Sequence, residues 1–163
     1  MAAPLPNAAL IITRLEALAS PADAAGMARF GIRGARVLGV PVKTLRAIAR
    51  ETGRSHSLAE ALWAAGIHEA RILASIVAEP KRVTLAQMEQ WVADLDSWDL
   101  CDQCCTNLWV RTPLGRDQAL IWSERAEEYV KRAGFVLMAQ VATKDTRVPA
   151  ALLHRYLDRV ERE

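Results

Sequence analysis

Residues 97–107 read Ser-Trp-Asp-Leu-Cys-Asp-Gln-Cys-Cys-Thr-Asn, the densest run of reactive residue types in the chain. Read as a helix beginning at Ser97, the block stacks Trp98 and Asp102 on one face, four residues apart. An aromatic face attracts positive charge and a carboxylate pairs with it, so the two together form a receptor for a cation. The same spacing also fits a core tryptophan beside a solvated helix charge, and spacing alone leaves both readings open.

Cys101, Cys104 and Cys105 are the only cysteines. Cys101-x-x-Cys104 resembles half of a zinc site or a redox pair. A structural zinc needs four ligands, and His56, His68 and His154 are scattered singly. A thioredoxin-type pair needs a preceding strand, which the sequence does not suggest. The cysteines are therefore expected to pack as small hydrophobes on an inner helix face, with no metal. An odd, clustered set is no disulfide framework and suits a reducing cytoplasm, the expected location. No Gly-x-Gly-x-x-Gly or Walker sequence supports a nucleotide cofactor, and none is expected. Nothing resembles a Ser-His-Asp arrangement. The start, Met1-Ala2-Ala3-Pro4-Leu5-Pro6, lacks the pattern of a secretory signal, and no run of apolar residues is long enough to span a membrane.

Net charge is only +2, but it is unevenly placed. Arg29, Arg33, Arg36, Lys43, Arg46, Arg50 and Arg54 face a single acid, Glu51, across that stretch. From Leu85 to Cys105 the balance reverses, with Glu89, Asp94, Asp96, Asp99 and Asp102 and no base. Such a chain can grip a polyanion locally without being a general polycation, although a solvated arginine-rich face fits the charge equally well.

These residues must be positioned by helices. Apolar side chains recur at helical spacing over Ala8–Ala19, and Ser20-Pro21 closes that segment. A short helical piece, Ala22–Met27, runs into the basic, glycine-containing loop Phe30–Gly34. The next helix, about Val42–Glu51, buries Leu45, Ile48 and Ala49 and presents Lys43, Arg46 and Arg50 as one stripe. Ser57–Ala65 and Ile67–Ala78 follow, hinged at Gly66. Thr84 with Gln87 reads as a capping box for a helix to about Leu95. Ser97 caps the next, to about Trp109, and Pro113 starts another through Trp122. Glu127–Thr143 is long, with Glu127-Glu128 placed to pair with Lys131 and Arg132 at i,i+4. Pro149 starts the last helix. No segment alternates with period two. The pattern predicts an all-α protein whose helix pairs recur at the length scale of helical repeats, with a compact bundle as the structural alternative. Its 163 residues suffice for one well-buried domain.

Four stretches together resemble the DNA alkylation-repair glycosylases built from HEAT-like helical repeats. They are Phe30-Gly31-Ile32 with Gly39-Val40-Pro41-x-x-x-Leu45-Arg46; His68-Glu69-Ala70-Arg71; Ser97-Trp98-Asp99-x-x-Asp102; and Tyr129-Val130-Lys131-Arg132-Ala133. The resemblance implies an α-solenoid of stacked antiparallel HEAT-like helix pairs over residues 1–163, as a single domain. It implies hydrolytic excision of cationic N3- or N7-alkylated purines from duplex DNA without base flipping. Trp98 would match the family's aromatic wall and Asp102 its catalytic carboxylate. Arg132 would match a phosphate-contacting arginine and Arg46 a backbone contact, with Lys43 and Lys131 as further DNA-binding residues. The implied partner is duplex DNA carrying alkylated purines, and the expected state is a monomer without membrane or metal. The family usually continues into a further helical pair that supplies a second aromatic wall, and no tryptophan follows Trp122 here. Two alternatives therefore stand beside the glycosylase: a non-catalytic protein that binds duplex or branched DNA, and an α-solenoid that binds another protein.

Overall fold

The apolar spacing read above translates into helices throughout. The computed structural model describes residues 7–34 and 36–163; the N-terminal stretch Met1–Pro6, read for a leader, lies outside the described residues. In chain order the helices are α1 (Ala8–Ala17), α2 (Pro21–Arg29), α3 (Val42–Thr52), α4 (His56–Ala64) and α5 (His68–Val77). They continue with α6 (Leu85–Ala93), α7 (Trp98–Asn107), α8 (Gly115–Ser123), α9 (Glu128–Lys144) and α10 (Ala150–Val160). Single 3₁₀ turns, Pro80–Arg82 and Trp109–Arg111, interrupt the series, and no strand occurs among the described residues.

Side-chain caps set several starts. Asn7 accepts from the Ala9 N–H at 3.0 Å, Ser55 from Leu58 at 3.3 Å and Thr84 from Gln87 at 3.2 Å. Each such cap is worth about 1 kcal/mol. Two expected caps differ from the sequence reading. The Thr84–Gln87 box is half-formed, because the Gln87 amide is buried without a partner. Ser97 occupies the N-cap position of α7 but makes no cap bond; its hydroxyl donates sideways to Asp96 Oδ1 at 3.4 Å.

The chain divides into two compact units between Arg82 and Val83. In the first, Leu15, Leu45, Ile48, Leu62 and Leu73 are fully buried. Glu69 on α5 is buried with them, which is costly for a carboxylate unless donors meet it. Three backbone N–H groups do so: Leu38 at 2.9 Å, Gly39 at 2.7 Å and Val40 at 3.3 Å. The carboxylate thus satisfies the loop that leads into α3, and the loop satisfies the carboxylate. Gly39 has φ +82°, and a Cβ there would fall 2.7 Å from the Ala24 backbone nitrogen. Glu69 and Gly39 together fix where the basic helix α3 begins.

In the second unit, α7 and α9 lie side by side and parallel. The Cys101 thiol donates to the Tyr129 carbonyl at 3.6 Å, and Cys105 to Ala133 at the same distance. Both contacts join residues 28 apart, so the two helices keep register as they advance. Helix α8 returns the chain between them and packs backbone to backbone against α9. A Cβ at Gly134 would lie 2.8 Å from Ser123 Cα, which no rotamer change relieves. Behind this contact Trp109 and Trp122 meet edge to face, 4.9 Å between centroids, which adds about 1 kcal/mol beyond their burial. Trp122 Nε1 donates to Glu89 Oε1 at 2.7 Å. Helix α10 docks through Tyr156, whose hydroxyl donates to the Arg116 carbonyl at 2.8 Å.

Candidate functional site

The inner face of α7 carries Leu100, Cys101, Cys104 and Cys105, all fully buried against the rest of the second unit. With that face committed, the helical period turns Trp98 and Asp102 outward. Trp98 occupies the first helical position and is 39% exposed, so it is not the core tryptophan that its spacing also allowed.

The parallel register of α7 and α9 brings Arg132 to this spot. Its guanidinium donates to both oxygens of Asp102, Nε to Oδ1 at 2.9 Å and Nη2 to Oδ2 at 2.8 Å. The same guanidinium lies 5.8 Å from the centroid of the Trp98 ring. A cation receptor of aromatic ring and carboxylate is therefore present, and it holds the chain's own arginine. The Asp102 fork, more than any other influence, holds Arg132 further toward its charged form. The pair is shallow: the side chains are 41% and 33% exposed. At that exposure the ion pair is worth about 0.5–1 kcal/mol and the ring contact about as much again. Arg132 is seated with good geometry and modest energy.

Lys131, one residue earlier on α9, pairs with Glu163 at 2.5 Å. The i,i+4 pairs anticipated from Glu127-Glu128 do not form with these two bases. Glu127 instead pairs with Arg125 at 2.5 Å, which holds its carboxyl down at about 2.

Lys43, Arg46 and Arg50 lie exposed along α3 in the first unit. Arg46 and Arg50, with Arg54, line a depression of about 300 Å³. Arg54 is tethered by a 2.5 Å bond to the Ala78 carbonyl. Other members of the basic block are used structurally: Arg36 pairs with Glu16, and Arg33 donates to the Ala28 carbonyl at 3.2 Å. The block is thus part scaffold and part exposed stripe.

The cysteines are core residues. Burial first, then the neighbouring Cys101, pushes the Cys105 thiol well above its ordinary range, which keeps it protonated and unreactive. Among the described residues no three His, Cys, Asp or Glu side chains gather as metal ligands. No described helix is long and apolar enough to cross a membrane.

Sequence reasoning missed three arrangements. The direct contact of Asp102 with Arg132 joins residues thirty apart, and only the register of α7 on α9 reveals it. The Glu69 clamp lies inside His68-Glu69-Ala70-Arg71, a stretch quoted above without a role. Arg71 of the same stretch sits 5.3 Å from the Trp63 ring centroid.

A solved structure superposes with a TM-score of 0.73 at 19% identity, covering 95% of this chain and 76% of that one. It is described as representing a new family of proteins related to the HEAT-like repeat DNA glycosylases, with affinity for branched DNA structures. The likeness establishes a HEAT-like repeat fold. No curated protein matches the chain. The family described as DNA alkylation repair enzyme matches residues 11–161, nearly the whole length, and the chain belongs to that family.

Proposed function

We propose that this protein excises cationic N3- or N7-alkylated purines from duplex DNA by hydrolysing the N-glycosidic bond. The observation that carries the reading is the Trp98–Asp102 receptor already holding a cation. An alkylated purine brings its own positive charge, so it is complementary to the seat Arg132 occupies. On the duplex, Arg132 turns from Asp102 to a phosphate, for which its planar fork is equally suited. The exchange replaces one cation by another, and the modest energy of the resting pair keeps its cost low. Exposed Lys43 and Arg46 contribute backbone contacts, and half-buried Lys131 joins them on leaving Glu163.

The chemistry then needs little acid catalysis. As the C1′–N bond breaks, its electron pair neutralises the cationic base, which departs as a stable leaving group. Asp102 stabilises the positive charge developing on the sugar and orients the water whose oxygen attacks C1′; that water's proton passes to the carboxylate or solvent. The test is release of base from duplex DNA containing N7-methylguanine, compared with Asp102→Asn. Losing one preorganised charge costs on the order of 3 kcal/mol, so the variant releases base about a hundredfold more slowly.

A second reading is a DNA-binding protein without excision activity. It draws on the commitment of Asp102 to Arg132 and on the branched-DNA affinity of the structural neighbour. Its signature is no base release by the unmodified chain, together with tighter binding to a four-way junction than to a linear duplex.

A further inference from the structure

At the far end of α9 from Arg132, the second unit opens into a cavity of about 820 Å³. Its charged lining consists of Arg111, Arg116, Lys144 and Arg147 against one carboxylate, Asp145. That carboxylate is already engaged. Arg116 Nε donates to Asp145 Oδ2 at 2.7 Å, and the Arg147 backbone N–H donates to Oδ1 at 3.0 Å. These bonds hold the Asp145 carboxyl below its ordinary range, so it stays ionised; its hydrogen bonds from a side chain are spent on Arg116, and the Arg147 charge acts on it only through space. None of the ion pairs among the described residues uses Arg111, Lys144 or Arg147, and all three side chains are exposed. The floor is rigid: Tyr156 pins the Arg116 carbonyl, and Gly115 lets the turn pack onto Trp109, where a Cβ would meet the Trp109 carbonyl carbon at 3.2 Å.

We infer that this cleft is a second nucleic-acid backbone site, separate from the Trp98–Asp102–Arg132 seat and holding phosphodiester groups between Arg111, Lys144 and Arg147. The inference rests on the DNA-binding reading above. Three rim cations, none in an ion pair with a described residue, around a single carboxylate already bound by Arg116 call for a further anion. The cavity is far larger than one phosphate and accommodates a run of them. It has no aromatic wall, and Val110 and Pro113 are its only apolar lining, so nothing there seats a nucleobase as a mononucleotide pocket would. An extended polyanion fits better than a free nucleotide. Arg132 and Lys144 are twelve residues apart on one helix, about 18 Å, so the two sites make independent contacts.

The test is fluorescence anisotropy with a labelled 24-base-pair duplex over a series of salt concentrations. It uses the full chain, the triple variant R111Q/K144Q/R147Q, R132Q, and the combination of all four. The triple variant should bind at least tenfold more weakly at 0.1 M salt. Its log–log salt slope should be shallower by about 2–3, the release expected from three phosphate contacts. The charge-preserving triple R111K/K144R/R147K should restore affinity to within about twofold, which separates lost charge from a damaged fold. The effects of the triple variant and R132Q should multiply. Unmodified affinity and slope in the triple variant overturn the inference while leaving the proposed function standing. Competition by ATP without any loss of duplex binding in the triple variant assigns the cleft to small phosphates and also overturns it. A chain that binds no duplex at any salt concentration overturns both readings.

Discussion

Replacing Asp102 by asparagine keeps the shape of the receptor and removes the charge that holds Arg132. In the resting protein that arginine is bound by two hydrogen bonds of 2.9 and 2.8 Å, at 41% and 33% side-chain exposure. A bidentate pair at such exposure is worth about 0.5–1 kcal/mol, and this is the part of the hold on Arg132 that the Asp102 charge supplies, the Trp98 ring contact remaining in the variant. Removing it should tighten binding to undamaged duplex by about two- to fivefold. Anisotropy titrations at low salt measure the effect directly. The decisive comparison is R132Q against the double variant D102N/R132Q. If the gain arises from a freed arginine, it disappears in the background lacking that arginine. The same gain with and without Arg132 would show that Asp102 merely repels DNA at a distance. Weaker binding by D102N would refute the exchange of partners altogether.

Three further outcomes follow from the same geometry. Glu69→Gln can no longer serve three backbone donors with a full negative charge, and should destabilise the protein by about 3 kcal/mol in urea denaturation, with faster amide exchange at Leu38, Gly39 and Val40; a loss under 1 kcal/mol with unchanged exchange would refute the clamp. Gly134→Ala should cost at least about 2 kcal/mol by forcing α8 from α9, whereas the same change at Gly26, where an added Cβ meets nothing within 4 Å, should not destabilise the protein. Burial pushes the Tyr156 phenol up to about 12 from 10.0. A folded value above the unfolded one favours the protonated form, so this contribution is complete below pH 10 and fades as pH rises through 12. Ultraviolet titration should show Tyr156 ionising near 12; ionisation at 10 without loss of helix signal would contradict its burial.

The helices were legible because apolar residues recur at 3.6-residue spacing, a local signal that needs no tertiary knowledge. The positions of Thr84, Gly66 and Pro149 marked their ends for the same reason. Trp98 and Asp102 were legible as a pair because i,i+4 spacing fixes a shared face. Their partner was not, because Arg132 reaches Asp102 only through the packing of α7 on α9, which spacing within one helix cannot report. Glu69 was illegible as a clamp because its partners are backbone amides, which no residue type advertises. The cleft of Arg111, Lys144 and Arg147 joins a 3₁₀ turn to the end of a helix some thirty residues later, so no local charge run announced it. Ser97 shows the converse: its residue type announced a cap bond, and the neighbouring Asp96 took its hydroxyl instead.

The close approach at Gly134 has a consequence for the nucleic acid as much as for the protein. Helix α9 is a single 17-residue rod locked against α8 near its middle, so its two basic ends cannot change their separation. A ligand that engages both must therefore supply the adjustment itself. For a stiff duplex, bending to meet a fixed spacing costs of the order of 1–6 kcal/mol, set by sequence and continuity of stacking. Helices softened by a mismatch, a nick or a branch point pay less. If both ends engage DNA as proposed, their fixed spacing favours a helix that yields readily, independently of any contact with a base.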